Sequence, residues 1–397
     1  MPADLHCRAC GTEYEAGPTE PWRCACGHAL DFAVQPRPDG SPPPFSKLDT
    51  RRGLWTFFEF LPVSRQVTLG EGFTPLVDAP EWDAQFKLEY VFPTGSYKDR
   101  GATTVLSRAV ELGVDTVIED SSGNAGAAIA TYAARAGLDA EIYVPADIKQ
   151  SKLVAIQRAG ARPVRVEGDR EAVTEACLDA VEGDGNAAGL GDAPHQSGEG
   201  WYASHAWNPA FYAGTMTFAF EVAAQREWTV PDAVVLPLGH GTLLLGAYRG
   251  FRALREAGIT DAEPRLLGAQ GTGYAPIAEE LGSDPVEAEN DGSELTAALD
   301  RDEDDDDPND IVDGIHIREP ARHDQIVDAI RDTDGDAVAL DADAVEGSLD
   351  RLHRAGFYVE PTSAIAPAAL AEYRRRGVVD EDDDVVVPLT GSGMKTL

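Results

Sequence analysis

Lysine is scarce in this 397-residue chain: Lys47, Lys87, Lys98, Lys149, Lys152 and Lys395 are the full set. Lys98 stands apart by its setting. It lies in Phe92-Pro93-Thr94-Gly95-Ser96-Tyr97-Lys98-Asp99-Arg100-Gly101, a turn followed by Ala102, Val105, Leu106, Ala109 and Val110 at helical spacing. An amine at a helix start meets the positive end of the helix dipole, which disfavours its ammonium form. With partial burial added, it becomes a nucleophile for a carbonyl. The plainer reading is a surface lysine paired with Asp99.

Three more turns carry polar groups suited to one small ligand. Ser121-Ser122-Gly123-Asn124 follows a strand pattern and opens an alanine-rich helix. Gly239-His240-Gly241-Thr242-Leu243 follows an apolar strand and presents backbone N–H groups at another helix start, a ready site for one phosphate. Thr390-Gly391-Ser392-Gly393 ends a third strand with a hydroxyl. Parallel sheets collect ligands at the carboxyl ends of their strands. A small phosphorylated aldehyde fits this set: the lysine for its carbonyl, the glycine loop for its phosphate, Asn124 and Thr390 for its ring. Ordinary turn chemistry is the alternative for Asn124 and Thr390. Neither the Walker ending nor the Rossmann three-glycine spacing is present.

A separate chemistry opens the chain. Cys7-x-x-Cys10-Gly11 and Cys24-x-Cys26-Gly27 offer four thiolates from two tight turns. Such a set suits tetrahedral zinc, and so short a segment needs a staple to hold a fold. Two disulfides, a redox pair, or a metal-free ribbon are the alternatives. Cys177 stands alone in a helical stretch and reads as a small buried apolar residue.

The elements that must position these residues alternate. Strands are expected at 116–119, 141–144, 163–166, 233–238, 265–270 and 385–389. Helices are expected at 101–112, 127–136, 152–159, 171–181 and 243–257. Repeated strand–helix units imply an α/β fold with open, mostly parallel sheets and helices on both faces. Residues 1–35 read as a zinc-ribbon-like module and 36–50 as a stiff proline-rich linker. Residues 51–397 read as the catalytic domain, with a smaller lobe at about 95–205 inserted in a larger one. Leu54–Pro62 is an aromatic segment that should pack on the catalytic body, and Leu69–Leu76 a loop between short strands. The stretch 282–313, centred on Asp302–Asp307, is expected to be a solvated loop.

The formal charge of −36 and pI near 4.4 disfavour nucleic acid as a partner. Six lysines against twenty-seven arginines, with 69 acidic residues, read as adaptation to a salt-rich cytosol. No leader pattern and no apolar run near ~20 residues is seen, so a cytoplasmic location with no membrane partner is expected.

Pro-Thr-Gly-Ser-Tyr-Lys-Asp-Arg-Gly, Ser-Ser-Gly-Asn-Ala-Gly, Pro-Leu-Gly-His-Gly-Thr and Leu-Thr-Gly-Ser-Gly-Met-Lys together resemble the threonine synthases. These are pyridoxal-phosphate enzymes of the tryptophan-synthase β type (fold type II). The resemblance runs from the cysteine module to the C-terminus. It implies that Lys98 binds pyridoxal 5'-phosphate covalently and shuttles the α-proton, and that Asn124 bonds the ring's phenolic oxygen. It further implies that Gly239, His240, Gly241, Thr242 and Leu243 cradle the phosphate while Thr390 faces the pyridine nitrogen. Ser121 and Ser122, with Ser204 and Asn208, would bind the amino-acid substrate, and a homodimer is common in the family. The implied reaction converts O-phospho-L-homoserine and water to L-threonine and phosphate. Three departures bear on that substrate. Phe92 replaces an asparagine, His240 replaces an asparagine, and Phe211 and Met216 stand where an arginine and a lysine are usual. Deamination of serine or threonine, another β-replacement, or a silent cofactor-binding paralogue are the rival readings.

Overall fold

The computed structural model describes residues 1–38, 40–183, 200–283 and 309–395. Most of the acidic stretch, including Asp302–Asp307, lies outside the described residues. The end of that stretch is not solvated loop. Asn309 donates its amide to the Leu340 carbonyl at 2.9 Å, and Val312 is fully buried.

The chain divides into two compact units. The first comprises 1–74, 91–229 and 245–262; the second comprises 75–90, 230–244 and 263–397. The first contains a four-stranded, all-parallel sheet in the order Arg162–Val166, Asp139–Pro145, Thr116–Glu119, Trp201–Tyr202. Its core gathers Val105, Leu106, Ala109, Ile129, Tyr132, Ile142 and Phe211 from the helices Lys98–Leu112, Asn124–Ala136 and Pro209–Thr215 and the strand Asp139–Pro145. The helix pattern of the sequence is realised here because glycine ends both long helices. Gly113 and Gly137 take left-handed conformations just past the last turn, where a side chain would strain the backbone.

The second unit is built on a six-stranded sheet. Its order is Asp336–Leu340, Arg265–Gly271, Ala233–Pro237, Val385–Pro388, Ala84–Lys87, Leu76–Ala79. All neighbours are parallel except the last pair. The central strands, Ala-Val-Val-Leu-Pro and Val-Val-Val-Pro, are continuous apolar runs, as strands covered on both faces must be.

The expected elements form with shifted ends: the third helix is Gln150–Arg158 and the fourth Arg170–Glu182, the latter capped by the Asp169 carboxylate on the Ala172 N–H. The aromatic segment packs as expected, with the Phe57 and Phe60 rings 5.6 and 4.6 Å from that of Phe220. The loop Leu69–Leu76 is flanked by a strand on one side only. The proline-rich segment is tied down along its length, by Arg37 on Glu256 at 2.6 Å and by the Trp228 indole on the Pro43 carbonyl at 2.8 Å.

The first 33 residues form a three-stranded antiparallel sheet, Glu13–Tyr14, Leu5–Cys7, Leu30–Phe32, with Cys7 ending the central strand and the other three cysteines in the connections. No helix among the described residues is long and apolar enough to cross a membrane.

Candidate active site

Lys98 opens the helix Lys98–Leu112, and its two successors hold that first turn in place. Asp99, the partner a plain surface lysine would use, is fully buried instead. It accepts from the Thr94 N–H at 2.9 Å, from the Thr94 hydroxyl, and from the Tyr132 hydroxyl at 3.2 Å. The Tyr132 hydroxyl also lies 3.2 Å from Glu71. Arg100, equally buried, grips Glu221 through two bonds of 2.7 and 2.8 Å, the fork geometry that suits a carboxylate best.

The loop Leu69–Leu76 reaches both networks. Glu71 accepts from the Trp55 indole and the Leu69 N–H, and the Thr74 N–H donates to Glu221 at 3.2 Å. Two adjacent charges, each anchored through a different side of the scaffold, fix the helix start on which Lys98 is mounted. Lys98 itself is half-buried, its Nζ 4.9 Å from the centre of the Tyr97 ring and 5.7 Å from that of Phe211.

The apolar departures noted in the sequence have packing roles. The Arg100 guanidinium lies 5.0 Å over the Phe92 ring. Phe211 is fully buried on the helix Pro209–Thr215, and its ring occupies the space that a side chain at position 101 would need. Gly101 is therefore required by Phe211. Met216 is buried at the break between Pro209–Thr215 and Thr217–Gln225.

Ser121 and Ser122 follow the strand Thr116–Glu119 and precede the helix Asn124–Ala136, which Asn124 opens. Gly126 lies against the Ser121 carbonyl so closely that any side chain there would overlap it. Ser204 and Asn208 are buried, and their polar atoms serve the turn. The Ser204 hydroxyl accepts from the N–H groups of Ala206 and Trp207, each at 3.3 Å, and Asn208 caps the next helix at Ala210. Between them stands His205, whose Nδ1 lies 2.7 Å from Glu119. Both residues were visible in the sequence, but 86 positions apart, with no pattern to pair them.

In the second unit, Gly239–Gly241 link the strand Ala233–Pro237 to the helix Thr242–Glu256. Gly241 adopts φ of +70°, and a side chain there would meet Ile326. A loop of this form turns successive N–H groups toward one point at a helix start. Thr390 is buried, with its hydroxyl 3.1 Å from that of Ser363, which in turn accepts from the Gly391 N–H at 2.7 Å. The Glu360 carboxylate fills the space beside Gly391, another neighbour that the sequence did not announce. Lys87 in this unit is fully buried, so burial alone does not single out a lysine here. Its place at a helix start separates Lys98 from Lys87, a place it shares with Lys149 and Lys152 at the start of Gln150–Arg158.

The four N-terminal cysteines come together. Their sulfurs all lie within 4.8 Å of one another, with Cys7–Cys26 at 3.6 Å and Cys10–Cys24 at 3.5 Å. A disulfide needs about 2.05 Å, so none is formed. Tetrahedral zinc with bonds of about 2.3 Å sets its sulfurs about 3.8 Å apart, and this cluster fits it. The Cys26 N–H and then the Tyr14 hydroxyl hold the Cys24 thiol down to about 6, which favours the thiolate that a metal takes.

The sequence profile described as "Pyridoxal-phosphate dependent enzyme" matches residues 67–391. The chain is 30% identical to the threonine synthase of Methanocaldococcus jannaschii, over 98% of this chain and 92% of that protein. It is also 30% identical to the threonine synthase of Mycobacterium leprae, over 83% of each. Among solved structures, maize serine racemase superposes with a TM-score of 0.63 at 19% identity, covering 87% of this chain and 93% of that one. The threonine deaminase isoform 2 of Solanum lycopersicum gives 0.62 at 20% identity, covering 90% and 87%. These two likenesses are of fold. With the profile and the full-length relatives, they make the chain a member of the pyridoxal-phosphate-dependent enzymes of fold type II, in the threonine synthase family.

Proposed function

We propose that the protein is a pyridoxal-phosphate-dependent lyase that converts O-phospho-L-homoserine and water to L-threonine and phosphate. The observation that carries this reading is the mounting of Lys98 at a helix start locked by Asp99 and Arg100, in a chain whose full-length relatives are threonine synthases. The donor set fits the cofactor: an amine for its aldehyde, a glycine loop at a helix start for its phosphate, and an amide and a hydroxyl for its ring. Bound, pyridoxal phosphate supplies an electron sink for charge developing at the substrate's α carbon.

The chain's own residues would do the rest. Lys98 binds the aldehyde and carries the α-proton at Nζ. Asn124 donates to the phenolic oxygen, and Gly239, His240, Gly241, Thr242 and Leu243 hold the phosphate. Thr390, oriented by Ser363, presents a neutral hydroxyl to the ring nitrogen and leaves it unprotonated. Ser121 and Ser122 bind the substrate carboxylate at the start of their helix, and Ser204 and Asn208 shape the adjoining turn. Cys7, Cys10, Cys24 and Cys26 hold a structural zinc. The enzyme is expected in the cytoplasm, as a homodimer.

A second reading, deamination of serine or threonine or another β-replacement, is favoured by Phe211 and Met216. Both are buried apolar side chains where an arginine and a lysine are usual, and without that guanidinium a substrate phosphate would bind less well. Purified holoprotein should release inorganic phosphate from O-phospho-L-homoserine, and Lys98→Ala should abolish that release. Oxo-acid formation from threonine or serine, with no phosphate release, would replace the first reading by the second.

A further inference from the structure

The strand Thr116–Glu119 ends on a glutamate that the reaction as proposed leaves unused. Glu119 is fully buried and His205 is 5% exposed. One carboxylate fixes both the imidazole and the chain that carries it: Nδ1 lies 2.7 Å from Oε1, and the His205 backbone N–H donates to Oε2 at 3.2 Å. The His205 ring stands edge-on to Phe211, centroids 6.1 Å apart at 69°. Lys98 Nζ approaches the same Phe211 ring, 5.7 Å from its centre. All four residues belong to the first compact unit.

A buried carboxylate bonded to an imidazole titrates jointly with it. With two protons on the pair, Nε2 bears a hydrogen and the pair is neutral, wherever the bridging proton sits. After loss of one proton, Nδ1 donates to the carboxylate, Nε2 becomes an acceptor, and the pair carries one negative charge. Burial and then Asp120 push the Glu119 carboxyl well above the usual range, against the His205 backbone N–H and the charges of Lys98 and Arg170. Asp120 is held by the Thr174 hydroxyl at 2.8 Å and the Tyr202 hydroxyl at 2.9 Å. Among the described residues, the Cys177 thiol and the Tyr202 hydroxyl also feel Glu119, both raised first by burial.

We propose that Glu119 and His205 are a positioning pair for Lys98, holding one labile proton whose loss places a buried negative charge near the Lys98 nitrogen and so sets the pH at which that nitrogen ionises. The inference rests on the reading of Lys98 as the cofactor-binding amine.

The test is a pH titration of the visible absorption of cofactor-loaded protein, for wild type, Glu119→Gln and His205→Gln. Glu119→Gln keeps an acceptor for the His205 backbone and removes the charge, so the midpoint should fall by about one pH unit. His205→Gln should lower it too, because Glu119 without the imidazole keeps its proton to higher pH. A merely structural pair would lower the melting temperature and leave the midpoint in place. Midpoints within about 0.3 pH unit of wild type, in folded and loaded variants, overturn the proposal while leaving the functional reading intact. If Glu119→Gln does not fold, His205→Gln decides alone. A wild-type protein that develops no visible band with pyridoxal phosphate overturns the functional reading, and the pair's role with it.

Discussion

At the scale of single residues, the arrangement around Lys98 shows how a reactive side chain is held by neighbours that do no chemistry. The Arg100–Glu221 pair has both side chains at 0% exposure. Its net contribution to stability is small, since desolvation offsets most of the attraction, but removing one partner strands a charge in the interior. Arg100→Met should therefore cost about 3–5 kcal/mol in urea unfolding. The double variant Arg100→Met, Glu221→Leu should recover much of that loss. If the double variant is no more stable than the single one, the pair is not an isolated unit. The outcome would then assign the cost to the Thr74 and Thr217 bonds that converge on the same two groups.

At the scale of elements, the N-terminal sheet is fastened to the helix that begins with Lys98. Arg108, in that helix, and Glu20 are 1% and 4% exposed as a pair, and the Arg108 guanidinium lies 5.2 Å over the Phe32 ring. So small a sheet, with a core of Leu5, Cys7, Cys24 and Leu30, has little apolar area of its own. Chelating its metal should lower the melting temperature and make residues 1–35 the first site of proteolysis. Glu20→Gln should produce the same pattern without chelator, at about 3 kcal/mol, because Arg108 is left buried without its anion. Metal analysis showing no zinc in freshly purified protein would remove the basis of the first expectation and leave the second standing.

The legible and illegible parts of the fold separate at this same scale. The Lys98 helix could be read from its apolar spacing, and the strand Val385–Pro388 from its unbroken valines. The region between about 314 and 384, given no element from its sequence, supplies the strand Asp336–Leu340 and three helices, of which His323–Asp332 and Ala342–Arg354 do carry apolar stripes. The helix Pro361–Arg375 is buried through most of its length, so it shows no amphipathic stripe, and it contains Pro367, a residue that usually ends helices. In the site, the motifs marked Lys98, Asn124 and the glycine loop. The residues that support them, Glu71, Tyr132, Glu221 and His205, lie 27 to 123 positions from Lys98. Tertiary packing alone brings them to it.

At the scale of the whole molecule, the governing quantity is a net charge of −36. Self-repulsion of that size opposes the compact state, and its reach depends on the solvent. The Debye length is about 10 Å in 0.1 M salt and about 3 Å in 1 M salt. Neighbouring surface carboxylates therefore repel one another at low salt and are nearly independent at high salt. The arginine-rich ion pairs that fasten the surface, such as Arg265–Asp383 at 2.6 Å and Arg375 and Arg376 on Glu372, would weaken in the same range. The prediction depends on which effect is larger. With 69 acidic residues against 33 basic ones, repulsion among the acids outweighs the pairs that screening weakens. The melting temperature should therefore rise steadily as potassium chloride is taken from about 0.1 M to molar concentrations. Sucrose at matched osmolality, which strengthens burial without screening charge, should not reproduce the rise. A melting temperature that is flat or falls in potassium chloride would show that the paired arginines, not the excess of acids, set the stability of this surface.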